Sequence, residues 1–364
     1  MHNNVVSFVL RISGIALLSL SVAGCFHVPP VYKPDTASLR QALQQGGSPD
    51  EPWHGWTPLN YVVYGASPQN KSPWMDRQTQ MTNARLLLEA GANPNALGYG
   101  MGTKMPPLIL AARQCQSDLV QLLLDHGADP YAMVEIQGTA LSMATAGFCA
   151  TVDDQYRLAR TLLDHVERTQ GRDAMVAYAR MTAPKTVRFL PAPVLHMAVW
   201  QKYYGVLAAL IEKRVDLDQI APVGMPDQQW TALHLAEAVG STDIAMALRR
   251  GGARDDVLSN RGETPVTVRG RYVPKQVGGV AATVELAKIA TQVQTGDLLG
   301  MAKNSYSEQV KASMYEPTRA IERSEFFRRS LGGPVYPPPG WTGLEDAIRK
   351  AREAGTPQAS GATR

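Results

Sequence analysis

The chain has 364 residues, 45% hydrophobic and 19% charged, which excludes wholesale disorder and leaves material for a core or for one long repeat array. Its 31 glycines and 25 prolines imply many turns. The net charge is +4, with 15 Lys/Arg against 10 Asp/Glu from Val257 onward, too dilute an excess to argue for nucleic acid, and 3 cysteines exclude a disulfide-framework miniprotein or a four-cysteine metal site.

The chain opens on an apolar run, Ile12 to Val22, preceded by Arg11 and followed by Val22-Ala23-Gly24-Cys25. A run this short falls well below the ~20 residues that cross a bilayer, and it fits the apolar stretch of a secretory signal. Val-Ala-Gly-Cys resembles the bacterial lipobox. That resemblance implies a signal peptide over 1–24, a lipidated Cys25 and a tether over 25–35. Phe26, where an inner-membrane lipoprotein usually has Asp, implies the outer membrane, facing the periplasm. The amino-terminal end carries no Lys or Arg before Arg11, so an ordinary cleavable signal with an incidental Cys25 is the alternative.

A repeat follows. Leu39 to Gly47 reads as a lone second helix. Then Thr57-Pro58-Leu59-Asn60, Pro107-Leu108, Thr139-Ala140-Leu141-Ser142, Pro193-Val194-Leu195-His196, Thr231-Ala232-Leu233-His234 and Thr264-Pro265-Val266 each open a short helix, a turn, an amphipathic helix and a stop. Residues Gly127-Ala128-Asp129 and Gly252-Ala253 are such stops, with glycine as the left-handed cap. The motif positions 59, 108, 141, 195, 233 and 266 are spaced by 49, 33, 54, 38 and 33. The pattern resembles the ankyrin repeat, with its T-P-L-H-x-A signature and period near 33. The resemblance implies an all-α ankyrin-repeat solenoid over 36–268, built of helix-turn-helix units with β-turn fingers and irregular insertions near 67–80. A C-terminal helical extension is expected over 269–331, then a Pro-rich linker and flexible tail over 332–364, with one exposed helix at Leu344–Ala354.

Chemistry is sparse. His196 and His234 are the motif histidines, and His126 and His165 precede helix ends. No metal-ligand spacing, phosphate loop or nucleophile elbow is present, so no catalytic residue, metal or cofactor is assigned. Cys115 and Cys149 are either a disulfide or two separate buried thiols. An oxidising periplasm favours their pairing. Both fall near helix–helix turns of adjacent units; adjacent helices 8–10 Å apart exceed the ~7 Å a bridge spans, but the extra residues after Cys149 leave that turn room to deviate.

The ankyrin resemblance also implies which positions face a ligand: three, five and six before each motif leucine, and five and six after it. These are Trp53, His54, Trp56 and Tyr64, then Met105, Arg113 and Gln114, then Phe189, Trp200 and Gln201, then Trp230. Aromatic residues and arginine supply much of the energy of protein interfaces. The expectation is a membrane-tethered periplasmic binding module, monomeric when free and not an enzyme. Lipobox, array and aromatic face together resemble envelope immunity proteins of type VI secretion, which implies a toxin as cognate partner, with a lipid-degrading effector as the preferred one. A stress-protective or scaffolding envelope lipoprotein is the alternative, and an enzyme a remoter one.

Overall fold

The computed structural model describes residues 29–66, 74–100, 103–134, 138–145, 149–181, 193–223, 225–271 and 336–355. The signal segment, Cys25, Phe189, most of the expected 269–331 extension and the tail after residue 355 lie outside the described residues.

In chain order the helices begin with α1 (Thr36–Gln44), α2 (Pro58–Gly65), α3 (Arg77–Glu89), α4 (Pro107–Arg113) and α5 (Ser117–Asp125). Next come α6 (Ala140–Met143), α7 (Val152–Gln170), α8 (Arg172–Ala179), α9 (Val194–Trp200) and α10 (Tyr204–Glu212). The array ends with α11 (Ala232–Ala238) and α12 (Thr242–Gly251), and a further helix, α13, spans Gly343–Gly355. Two antiparallel fingers project: β1 (Gly98–Gly100) pairs with β2 (Thr103–Met105), and β3 (Ala221–Val223) with β4 (Met225–Trp230). Helices α2, α4, α6, α9 and α11 form the inner layer. Helices α1, α3, α5, α7, α10 and α12 form the outer one.

The motif leucines are the seam between layers: Leu59, Leu108, Leu141 and Leu233 are fully buried and Leu195 nearly so. Capping explains where inner helices start. Thr57, Thr139 and Thr231 accept the N–H three residues on, and His234 completes a capping box with Thr231.

Two kinds of turn recur among the described residues, each with a left-handed residue. Between inner and outer helices these are Cys115 (φ 58°), Lys202 (φ 57°) and Gly240 (φ 70°). After the outer helix they are Gly91, Gly127, Arg214 (φ 51°) and Gly252. The following residue then closes a six-residue loop back into the helix. Ala92 donates to Leu87 O and Ala128 to Leu123 O, both at 2.9 Å, and Ala253 donates to Leu248 O at the same distance. Arg214 keeps the register that its missing glycine had put in question, at the strain of a side chain at positive φ.

Units are tied by two recurring rungs. Asp50 accepts the Asn93 N–H at 2.9 Å, Asn95 the Asp129 N–H at 2.8 Å, and Asp218 the Arg254 N–H at 2.9 Å. Deeper in, Asn60 Nδ2 donates to the Met105 carbonyl, His196 Nε2 to that of Trp230 and His234 Nε2 to that of Glu263, each at 2.9 Å. The motif histidine thus satisfies the next finger's backbone, and Asn60 serves where histidine is replaced.

Three expectations are changed or decided. First, part of the expected tether is fold. Pro30–Tyr32 forms a 3-10 turn, and the buried Tyr32 hydroxyl accepts the Trp53 N–H at 3.0 Å and lies 2.6 Å from the Trp56 carbonyl. Second, Cys115 and Cys149 are bridged, with Cα atoms 5.0 Å apart. The helix-axis argument does not apply, because Cys115 is the left-handed residue of its turn and Cys149 precedes Thr151, the cap of α7, so the bridge joins turns. Third, α13 is docked rather than exposed. Its Ala347, Ile348 and Ala351 are buried against α10 and α12. The reason lies in α10, whose residues from Tyr204 to Ile211 are buried all round. An outer helix without a polar face needs a cover. Polar contacts fix it: Arg250 pairs with Glu345, Lys350 with Glu212 at 3.2 Å, and Trp341 Nε1 donates to Asp153 at 2.9 Å.

Candidate functional site

The inner layer and its fingers carry most of the expected ligand-facing residues, and the first unit concentrates them. There the chain folds back at His54-Gly55, both at positive φ, so that Trp53 and Trp56 exchange backbone hydrogen bonds of 2.9 and 3.0 Å. Two successive left-handed residues make this a type I′ turn, which holds His54 exposed at its tip. Trp53 lies 4.8 Å from the His54 ring and 5.4 Å from Tyr32. Trp56 lies 5.4 Å from Tyr64, and Trp74 stacks on Tyr61 at 4.7 Å and reaches Tyr64 at 5.7 Å. Trp53, Trp56, Tyr61, Tyr64 and Trp74 are half-buried, so each presents part of a ring to solvent on a rigid base. Mutual packing at these distances fixes the ring planes, which lowers the entropy cost of contact with a partner.

Arg113 closes α4 beside this cluster, half-buried. Burial pulls its guanidinium below the usual range, and the Tyr64 hydroxyl works in the opposite direction. Trp200 and Gln201 end α9, both half-buried, on the inner helix of the fourth unit.

Three expected positions do not face outward. Trp230 is fully buried: its ring stacks on His234 at 6.2 Å, and the Arg271 guanidinium lies 5.9 Å above it. It closes the long β3–β4 finger, paired with Ala221, and the next unit folds over it. Met105 is fully buried at the foot of the β1–β2 finger, opposite Gly98. Gln114 is 2% exposed, at the turn that the Cys115 bridge pins, its own N–H spent on the end of α4. A rule of position written for short fingers misplaces side chains where fingers are long.

Sequence reasoning missed others. The sequence reading places Tyr32 in the tether and gives Tyr61 no role, yet both belong to the aromatic cluster. Leu97, Met133, Ile220 and Leu258 are 60, 39, 43 and 54% exposed, and each stands six residues beyond an outer-helix stop. Their shared register makes them one file of apolar side chains along the stack. The signal was present in the sequence at a fixed offset from Gly91, Gly127, Arg214 and Gly252.

Among the described residues no three His, Cys, Asp or Glu side chains gather as a metal site, and no helix is long and apolar enough to cross a membrane. A cavity of about 530 Å³ lies away from the aromatic cluster, between α12 and α13, and is lined by Arg214, Asp216, Arg250 and Ile348 among others. Glu237, the one carboxylate on an inner helix, is buried; Arg269 and Arg249 hold it at 2.6 and 2.5 Å. Burial opposes its charge, and these two hydrogen bonds outweigh that, keeping the carboxyl below the usual range.

These units define an ankyrin-repeat fold, and residues 104–133 match the family model of the ankyrin repeat. The chain matches no curated protein. Among solved structures, the ankyrin repeat domain of Bcl-3, described as a unique member of the IkappaB protein family, aligns at 21% identity. That alignment covers 67% of this chain and 94% of that one, with a TM-score of 0.47. The human ASB11 ankyrin repeat domain aligns at 16% identity over 67% of this chain and 91% of its own, with a TM-score of 0.44. A fold of this class is a protein-binding scaffold, in which adjacent units present one continuous surface.

Proposed function

We propose that this chain is a lipid-anchored envelope protein whose concave layer captures a toxin and holds it inactive. The observation that carries the binding role is the packed aromatic cluster of the first unit, continuous with the inner helices and partly open to solvent. Rigid, ring-rich surfaces of this kind give tight and selective protein contact. The envelope setting is supported by two features read from different places. Val22-Ala23-Gly24-Cys25 has the form of a lipidation site, and a Cys115–Cys149 bridge suits an oxidising compartment. Phe26 points the anchor to the outer membrane. An inhibitor tethered there would stand beside the substrate of a lipid-degrading enzyme, which makes such a toxin the preferred partner.

The test is genetic. A deletion strain is made to export each neighbouring candidate toxin to its periplasm, with and without this chain. Growth arrest relieved by the chain, and lost again when Cys25 is replaced by Ser, is the expected result. Equal growth of both strains with every candidate rejects the toxin reading. Protection that survives Cys25→Ser at full strength rejects the anchor.

A further inference from the structure

Helix α13 brings little apolar surface to the array. Its buried side chains are Ala347, Ile348 and Ala351, two of them alanines. The polar contacts around them are open to water. Arg250 and Glu345 are both exposed, and Lys350 reaches Glu212 at 3.2 Å from a partly exposed position. Trp341 Nε1 donates to Asp153 at 2.9 Å, and Arg352 to the Arg250 carbonyl at 3.0 Å. Exposed ion pairs of this kind contribute little each and are screened by salt. The seam is also unsealed, since the cavity of about 530 Å³ runs between α12 and α13 beside Ile348 and Arg352.

The surface underneath keeps its charge paired without α13. The Glu212 carboxylate, nearly buried, also takes Arg160 at 2.7 Å and the Tyr156 hydroxyl, and it retains both when Lys350 leaves. What departs with α13 is the cover of α10, whose residues from Tyr204 to Ile211 are buried. Release therefore leaves a preformed apolar groove on α10 and α12, with a carboxylate at Glu212 and a cation at Arg250. The released helix, 13 residues long, is too short to be stable alone. Each copy then holds two unsatisfied surfaces that match each other. The connection does not dictate which copy supplies the helix. Between Arg271 and Tyr336 stand 64 residues, 272–335. A stretch of that length spans on the order of 200 Å at full extension.

We propose that the groove on α10 and α12 takes α13 from a second copy of this chain, the two copies exchanging helices about a two-fold axis. Reciprocal exchange remakes each contact named above twice and leaves neither groove open. Charge selects the occupant: Glu345 for Arg250 and Lys350 for Glu212, on either side of the buried Ile348. Linkage favours the chain's own helix at low concentration, and exchange gains as concentration rises. The contact lies on the outer helices and does not depend on what the concave layer holds.

The test uses two forms of the full mature chain, each carrying Cys25→Ser. One has Arg250→Glu in the groove, the other Glu345→Arg on the helix. Either form by itself sets like charges together, whether α13 docks on its own array or on an identical copy. In the mixture each groove meets a complementary helix from the other form. Light scattering is expected to show a one-to-one dimer in the mixture. It should associate at least about fivefold more tightly than either form alone, a gap that narrows as salt rises. Adding Ile348→Asp to both forms should abolish it. Both charge changes lie at exposed positions, and circular dichroism matching wild type checks that each array is folded. A mixture no heavier than its separate components overturns the inference, as does a dimer that survives Ile348→Asp. Assemblies larger than a dimer also overturn it, because reciprocal exchange closes at two copies.

Discussion

At the scale of single residues, tryptophans of the same repeat position have different roles. Trp230 is enclosed by His234 and Arg271, whereas Trp56 and Trp200 keep part of their rings in solvent. Trp230→Ala should therefore lower folding stability by about 3–5 kcal/mol, the range for emptying a large buried aromatic site. Trp56→Ala and Trp200→Ala should move the melting curve much less and act on partner binding instead. Denaturant titration of the three variants separates the classes, and a Trp230→Ala curve overlapping wild type would return that residue to the surface. His196 gives a second residue-level prediction. Burial pushes it down to about 4 from an ordinary 6.5, outweighing the hydrogen bond to Trp230, which works in the opposite direction. Its Nε2 donates to the Trp230 carbonyl, while Nδ1 is buried without a partner, so a second proton has nowhere to be solvated. Between those two values the unfolded chain binds the proton and the folded chain does not. Stability from this group is thus complete above 6.5 and falls as pH drops toward 4. Unfolding curves measured across that window should slope for wild type and flatten for His196→Gln. A parallel slope in both would assign the acid sensitivity to other groups.

At the scale of elements, the third unit and the C-terminal helix depart most from a regular stack. Helix α6 is only 4 residues, and its outer partner is the 19-residue α7 folded back on α8. The Cys115–Cys149 bridge links this irregular unit to the second one across a separation of 34 residues. Replacing both cysteines by Ser should lower stability by roughly 2–4 kcal/mol, most of it through the freedom returned to the unfolded chain. Calorimetry with and without a dithiol checks this, and an unchanged transition would make the bridge ornamental. Helix α13 covers the outward side of α10 with Ala347, Ile348 and Ala351. Ending the chain after Gly340 should raise amide exchange in α10 and α12 while leaving α2 and α4 protected, because a stack transmits stability mainly between neighbours. Uniform deprotection would mean the array unfolds as one body. The sequence made α13 readable as a helix but not as a docked one. The clue was in α10, where Tyr-Gly-Val-Leu-Ala-Ala-Leu-Ile leaves no polar face, and that run fits a covered helix better than an open one.

At the scale of the whole molecule, the register of the array was legible because it depends on local chemistry. Leucine seams, threonine caps and left-handed stops recur at fixed offsets, and even Arg214 stands in its slot. The binding face was only partly legible. Trp53, His54, Trp56, Tyr64, Arg113 and Trp200 keep exposed or half-exposed positions on the inner side, but Met105, Gln114 and Trp230 are sealed by long fingers and the bridged turn. Finger length alters which way a residue faces, and a spacing rule carries no information about it. The central claim is that the concave layer, rather than the outer helices or α13, holds the partner. The most direct measurement is protection of cells against the periplasmic toxin by single variants matched for melting temperature. Trp200→Ala and Arg113→Glu should lose protection, while Met246→Ala on exposed outer helix α12 keeps it. If Met246→Ala alone abolished protection and both concave variants retained it, the binding face would lie on the opposite side of the array.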